Sequence, residues 1–301
     1  RPGLTGSRAG RDWSPRWTVV AVERSGDVVT YRAEDDACGL GLVIEVELTP
    51  LGGDFFLATS PSVGRPRLFG GQVAGQSLRA ACLTADGRPP HSLHAYFIRP
   101  GTPGEPLTFE VARTRDGRSF STRHVTASQG GKPILELIAS FHAPEDGFDW
   151  QADPPAGTPG PEGLRGLVPP SFFRHPMGFD IRVVNPPGEN EWPIAHPFWI
   201  RADGPVGDDP ALHACLVAYL TDMGVVSSAR APGSPRELAT AVSLDHAVWF
   251  HRPARVDEWM LYSAEPVVNH GARGLARGTL HTADGTLLAS VAQEALLRPA
   301  T

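Results

Sequence analysis

His94-Ala95-Tyr96-Phe97-Ile98-Arg99-Pro100 and Trp249-Phe250-His251-Arg252-Pro253 are two aromatic segments that end in the same Arg-Pro pair, with arginines 153 positions apart. The segments around them match at about the same offset, which is the signature of an internal duplication. Upstream of the first, Val73, Ala74, Ser77, Leu78, Ala81 and Cys82 recur at helical spacing after Gly70-Gly71 and give one small, mostly apolar helix face. Upstream of the second, Asp209-Pro210 supplies an N-cap and a first-turn proline. The residues that follow, Ala211 to Met223, are apolar nearly all round, as in a helix buried on every side. Downstream, residues 106–128 and 132–143 read as long strands joined at Gln129-Gly130-Gly131, and 259–282 and 286–298 as strands joined at Ala283-Asp284-Gly285. The predicted fold class is α+β: one helix wrapped by an antiparallel sheet, made twice.

Between the copies, residues 151–170 (QADPPAGTPGPEGLRGLVPP) hold ten Pro or Gly in twenty positions, which sustains neither a helix nor a central strand. The predicted organisation is an N-terminal extension of unknown role over 1–42, a first repeat over 43–150, a linker over 151–170 and a second repeat over 171–301. Within the extension, Trp17 to Ala33 reads as a hairpin around Ser25-Gly26.

Composition removes several classes of function. With 41% hydrophobic and 20% charged residues the chain is not disordered, and its 33 Gly and 30 Pro show no Gly-X-Y period. Net charge is -6, and of 27 basic residues only Lys132 is a lysine, leaving 26 arginines with no basic run. A nucleic-acid partner is not expected. Cys38, Cys82 and Cys215 are odd in number and widely spaced, which fits neither a disulfide framework nor a zinc site. No apolar run approaches the ~18 residues of a membrane span. The Arg1-Pro2-Gly3-Leu4-Thr5-Gly6 start lacks the layout of a secretory signal. A soluble, cytoplasmic protein with no membrane partner is expected.

The sequence carries no GxSxG elbow, HExxH, Walker loop or helix-opening GxGxxG, so neither a metal nor a cofactor is expected. Candidate chemistry rests instead on polar residues at apolar positions. Gln293 interrupts the face Leu287, Ala289, Val291, Ala295, Leu297, where the first copy has Ala139. A buried amide there needs a partner, either structural or a water or substrate, and an unpaired one costs about 1 to 3 kcal/mol. On that ground alone, Gln293→Ala is expected to cost little stability. Asp222 closes the most apolar helix, where the dipole disfavours a carboxylate. It is either frayed into solvent or buried with a raised pKa. Ser243 alternates with Asp245, Ala247 and Trp249 and reads as sharing their face. Gly70-Gly71-Gln72 opens the first helix, whose N–H groups suit an oxyanion, though close backbone packing explains the glycines equally well. His94, His246 and His251 read as packed or rim histidines.

Phe69-Gly70-Gly71-Gln72-Val73, His91-Ser92-Leu93-His94-Ala95-Tyr96-Phe97, Arg115-Asp116-Gly117-Arg118-Ser119-Phe120, Ala139-Ser140-Phe141, Leu244-Asp245-His246 and Trp249-Phe250-His251-Arg252-Pro253 together resemble the acyl-CoA thioesterase II family, from about Leu48 to Arg298. The resemblance implies a double hotdog fold, pairing into a dimer or tetramer, and a water-activating trio of an aspartate, a threonine or serine, and a glutamine. By motif the trio falls on Asp222, Ser243 and Gln293, with serine where better-known bacterial members have threonine. The implied activity is hydrolysis of medium- to long-chain fatty acyl-CoA by direct attack of water, since the trio holds no Ser–His or Cys–His couple. Gly71 and Gln72 are the candidate amides for the thioester carbonyl. The alternatives are a hotdog enoyl-CoA hydratase or dehydratase, for which the loop Gly101 to Glu105 offers no histidine, and a non-catalytic acyl-CoA binding protein.

Overall fold

Arg99 and Arg252, the arginines of the two Arg-Pro pairs, make equivalent bonds: Arg99 Nη1 donates to the Pro133 carbonyl at 2.7 Å and Arg252 Nη1 to the Leu287 carbonyl at 2.9 Å. Each ties the end of an aromatic strand to the start of the strand beside it. The computed structural model describes residues 19–25, 28–33, 46–59, 67–167, 178–185, 196–231 and 238–299. The chain divides into two compact units, Arg1–Gly39 and Leu40–Thr301. In the first, β1 (Val19–Ser25) pairs antiparallel with β2 (Val28–Ala33), as the hairpin pattern predicts. Cys38 lies outside the described residues.

In the larger unit the first repeat contains β3 (Thr49–Gly52), β4 (Phe55–Ala58), α1 (Gly70–Cys82), β5 (Pro90–Phe97), β6 (Leu107–Asp116), β7 (Phe120–Gln129) and β8 (Lys132–His142). The second contains β9 (Phe179–Val183), β10 (Phe198–Ala202), α2 (Pro210–Leu220), the single turn α3 (Val225–Ser228), β11 (Leu238–Ser243), β12 (Asp245–Phe250), β13 (Met260–His270), β14 (Arg273–Thr282) and β15 (Leu287–Pro299). Among the described residues these strands form one antiparallel sheet in the order β3-β4-β6-β7-β8-β5-β12-β15-β14-β13-β10-β9, with β11 also on β15. The run β4-β6-β7-β8-β5 is mirrored by β10-β13-β14-β15-β12. The two halves join where β5 meets β12, with Tyr96 opposite Asp245 and Ser92 opposite Trp249.

Three local expectations change. Residues 106–128 and 259–282 each read as one strand, but the chain reverses at Gly117-Arg118-Ser119 and at Gly271-Ala272, giving β6–β7 and β13–β14 as hairpins. Strands beyond about ten residues are uncommon, and the turn residues set the break. Helix α2 begins as predicted, with the Asp209 side chain accepting from the Ala211 N–H, but it ends at Leu220 and not at Met223. The Thr221 hydroxyl folds back to the Val217 carbonyl at 2.8 Å, and the Tyr262 hydroxyl takes the Thr221 carbonyl at 2.6 Å. That carbonyl is thereby bonded outside the helix. Helix α1 is buried from Gly71 to Leu78 on both faces, between the sheet and α2, and not on one face alone.

The close pairing of the helices explains the paired glycines. A Cβ on Gly71 would stand 2.2 Å from the Tyr219 carbonyl oxygen, well inside van der Waals contact, so any larger residue forces α1 and α2 apart. Among the described residues no helix is long and apolar enough to cross a membrane. Between His142 and Phe179 the described residues hold no helix or strand, apart from the isolated Gly166–Arg182 bridge.

Candidate active site

Asp222 lies two residues beyond the C-terminus of α2, where that helix's own dipole opposes a negative charge. The start of α1 compensates. The Gly71 N–H donates to Asp222 Oδ2 at 2.8 Å, so one carboxylate receives the C-terminal end of one helix and the N-terminal end of the other. Gly70 makes this approach sterically feasible, because a Cβ there would lie 2.8 Å from the same oxygen and against the Phe97 ring. Both readings of the Gly-Gly pair are therefore realised, but the oxyanion held at the helix start is the protein's own. The Gly71 amide faces Asp222 and not an open anion site, while the Gln72 N–H lies 3.2 Å from the Phe69 carbonyl.

A bulge delivers the next side chain. Ser243 pairs with Ala295 and Ala247 with Ala292, so four steps along β11–β12 span three along β15. Leu244 donates to the Glu294 carbonyl at 2.9 Å, and the Asp245 carboxylate takes the Glu294 N–H at 2.6 Å. The extra residue resets the alternation. Ser243 turns toward Asp222, and His246 and Val248 become the buried residues of β12, whereas Trp249 is 37% exposed. The shared face of Ser243 with Asp245, Ala247 and Trp249, expected from strict alternation, is broken by this bulge.

Gln293 enters from β15 and closes a ring. Its Nε2 donates to Asp222 Oδ1 at 2.9 Å and to Ser243 Oγ at 2.7 Å, and Ser243 Oγ donates to Asp222 Oδ1 at 3.2 Å. The structure thus brings the three sequence-selected side chains together with Gly71. Asp222 and Gln293 are buried, and Ser243 is partly exposed. Burial pushes the Asp222 carboxyl above the ordinary carboxylate range, while His246 and the bonds from Gln293, Gly71 and Ser243 pull it back. The group is a carboxylate kept short of water yet supplied with donors.

Behind the ring stands His246, which single-residue patterning assigns to packing. Its Nδ1 lies 2.6 Å from Gln293 Oε1 and its Nε2 3.1 Å from Thr221 Oγ1. It is fully buried, and burial pushes the imidazole pKa down against the opposing pull of Asp222. The signal for it was the odd spacing of Ser243 and His246, which share an interior only if a bulge intervenes. Tyr262, on the Thr221 carbonyl, was likewise hidden in an apolar stretch of β13.

The first repeat lacks the ring. Leu83-Thr84-Ala85 follows α1, where Leu220-Thr221-Asp222 closes α2 and leaves it, and Ala139 stands where β15 has Gln293. The buried Arg123 side chain occupies this region. It donates to the Thr84 carbonyl at 2.7 Å, the Thr84 hydroxyl at 2.9 Å and Asp116 at 2.6 Å. Its strand partner is Ala139, as Ala276 is the partner of Gln293. Among the described residues no group of three or more His, Cys, Asp or Glu is arranged to hold a metal ion.

Comparison with known proteins bears directly on this geometry. Residues 58–142 match the model of the acyl-CoA thioesterase N-terminal domain, and residues 183–296 match the acyl-CoA thioesterase model. Human acyl-coenzyme A thioesterase 8 is 38% identical over 279 residues, spanning 84% of this chain and 87% of its own length. The chain belongs to the acyl-CoA thioesterase II family. Another relative, acyl-CoA thioesterase 2 of Haemophilus influenzae, is 33% identical over 81% of this chain and 92% of its own. The crystal structure of an acyl-CoA thioesterase II, TesB2, from Mycobacterium marinum aligns with a TM-score of 0.73 at 37% identity, covering 86% of this chain and 98% of that one. A hot dog fold protein from Alicyclobacillus acidocaldarius aligns over 86% of this chain and 98% of its own at 19% identity, with a TM-score of 0.69. This acyl-CoA thioesterase II family member therefore has a hot dog-type fold built on a large antiparallel sheet. The family is one of thioester hydrolases, and both of its matched models fall on the unit that contains the ring.

Proposed function

We propose that this chain hydrolyses fatty acyl-CoA thioesters of medium to long chain length to the free acid and CoA, by direct attack of a water held by Asp222, Ser243 and Gln293. The observation that carries the reading is the closed ring of those three side chains around one desolvated carboxylate. Asp222 accepts the water's proton as the oxygen bonds to the thioester carbonyl carbon. The C–S bond then breaks, and the CoA sulfur leaves and is protonated. Ser243 and Gln293 fix the direction of attack, and positioned general-base help is worth about 10² to 10⁴ in rate. No protein nucleophile is required, because the ring contains neither a Ser–His nor a Cys–His couple. Gly71 contributes through the carboxylate it supports and not as a donor to the thioester carbonyl.

In this reading the larger unit is a double hotdog. Residues 43–150 form the first and 171–301 the second, with the chemistry confined to the second and residues 1–42 outside both. The mirrored strand order and the two central helices support that division. Pairing of such units into dimers or tetramers belongs to the same proposal. A CoA-release assay with free-thiol detection, run from acetyl- to palmitoyl-CoA, tests the function. Turnover rising toward the longer chains is the expected result, and absence of CoA release from every substrate refutes it. Binding without release would instead identify an acyl-CoA binding protein, and water addition to an enoyl-CoA a hydratase.

A further inference from the structure

We infer that His246 is a positioning residue that fixes the rotation of the Gln293 side-chain amide and thereby aims the Asp222–Ser243–Gln293 ring; this rests on the proposed role of that ring. A glutamine amide has two faces that differ only in which end donates, so some neighbour must choose between them. In this site the choice is over-determined. Both Nε2 hydrogens are used, one on Asp222 Oδ1 at 2.9 Å and one on Ser243 Oγ at 2.7 Å. The carbonyl end, Oε1, must then accept, and the group facing it at 2.6 Å is His246 Nδ1. A hydrogen on Nδ1 satisfies that contact and leaves Nε2 to accept from the Thr221 hydroxyl at 3.1 Å, in place of that hydroxyl's bond to the Val217 carbonyl. A bare Nδ1 would set two lone pairs against each other and favour the flipped amide, which presents a carbonyl to the Asp222 carboxylate. The tautomer of one buried imidazole is thus coupled to the direction of a side chain on the neighbouring strand.

The imidazole is itself held. His246 is fully buried on β12, just past the bulge that turns Ser243 inward, and its Nε2 lies 3.1 Å from Thr221 Oγ1 on the residue preceding Asp222. Thr221 is fixed in turn through its carbonyl by the Tyr262 hydroxyl at 2.6 Å. The chain Tyr262, Thr221, His246, Gln293 therefore runs from the residue before Asp222 back to the Asp222 carboxylate through the Gln293 amide. In the first repeat the residue opposite Ala139 on β5 is Leu93, and no amide needs aiming there. The histidine accompanies the glutamine.

Three substitutions and a double-mutant cycle test the inference. An asparagine places its amide N–H near the position of Nδ1, and a glutamine near that of Nε2. His246→Asn should keep kcat within a few-fold, while His246→Gln and His246→Leu should each lower kcat by about 10²-fold with KM little changed, as misaimed catalytic groups do. In a Gln293→Ala background, His246→Leu should lower kcat no further, since nothing remains to be aimed. A packing role predicts a loss that persists in that background, and equal losses for Asn and Gln overturn the inference. Should His246→Leu not fold, the Asn and Gln pair, assayed below their melting temperatures, carries the decision. If Gln293→Ala retains full turnover, the reading of the ring fails and this inference with it. If Gln293→Ala is impaired but folded His246→Gln is not, this inference alone fails.

Discussion

The Gly71 backbone N–H lies 2.8 Å from Asp222 Oδ2, joining residues 151 positions apart. The contact requires α1 and α2 to touch at the glycine, because a Cβ on Gly71 would meet the Tyr219 carbonyl oxygen at 2.2 Å. Gly71→Ala should therefore cost roughly 1 to 3 kcal/mol through overpacking and shift the carboxylate as well. Differential scanning fluorimetry and kcat on the same preparation should both fall. Gly147→Ala is the control. Nothing lies within 4 Å of a Cβ there, so its melting temperature should stay that of the parent.

Asp222→Asn keeps the shape of the side chain and removes the base. CoA release should drop by about 10² or more, from the lower end of the range for a positioned general base upward. Normal turnover by a folded Asp222→Asn protein would remove Asp222 from the mechanism.

Gln293→Ala tests the donor side of the ring, and here the structure revises an expectation. From the sequence alone, loss of a lone amide on an apolar face should cost little. The amide in fact serves Asp222, Ser243 and His246 together, so truncation leaves a buried imidazole N–H without its acceptor and strips a donor from a buried carboxylate. Stability should fall by roughly 1 to 3 kcal/mol, and turnover by about 10². Combined with Asp222→Asn, turnover should be little lower than in either single variant, because the residues act as a unit.

The pH dependence has a definite sign. Burial holds the Asp222 pKa above its ordinary value, so the folded chain binds this proton more tightly than the unfolded chain does. The stability contributed by the protonated form is fully present below the unfolded pKa and is lost as pH rises through the raised folded pKa. Activity moves the other way, since only the ionised carboxylate can take a proton from water. The acid limb of kcat should thus lie above the ordinary carboxylate range. Melting temperature should fall over the same interval, and the fall should be absent in Asp222→Asn.

Much of this was legible in the sequence. The Arg-Pro offset pointed to the mirrored halves of the sheet, Asp209-Pro210 placed the start of α2, and Gln293 at the position equivalent to Ala139 marked the half with the ring. What escaped notice depended on contacts that patterning does not encode. The bulge after Ser243 exists because β11 and β12 must both pair with β15 while Asp245 caps the Glu294 amide, and a period-two reading cannot skip a residue. Gly71 as partner of Asp222 is a tertiary fact between two helices. The end of α2 was missed because Thr221 is stopped by the hydroxyl of a tyrosine 41 residues further on.

The glycine amide and the aspartate it supports come from opposite halves of the mirrored sheet. Because both lie on one polypeptide, their encounter is intramolecular and independent of protein concentration. Where one half holds the ring, the other holds the buried Arg123 on Thr84 and Asp116. The two halves thus share one sheet but differ in the polar group each buries behind its helix.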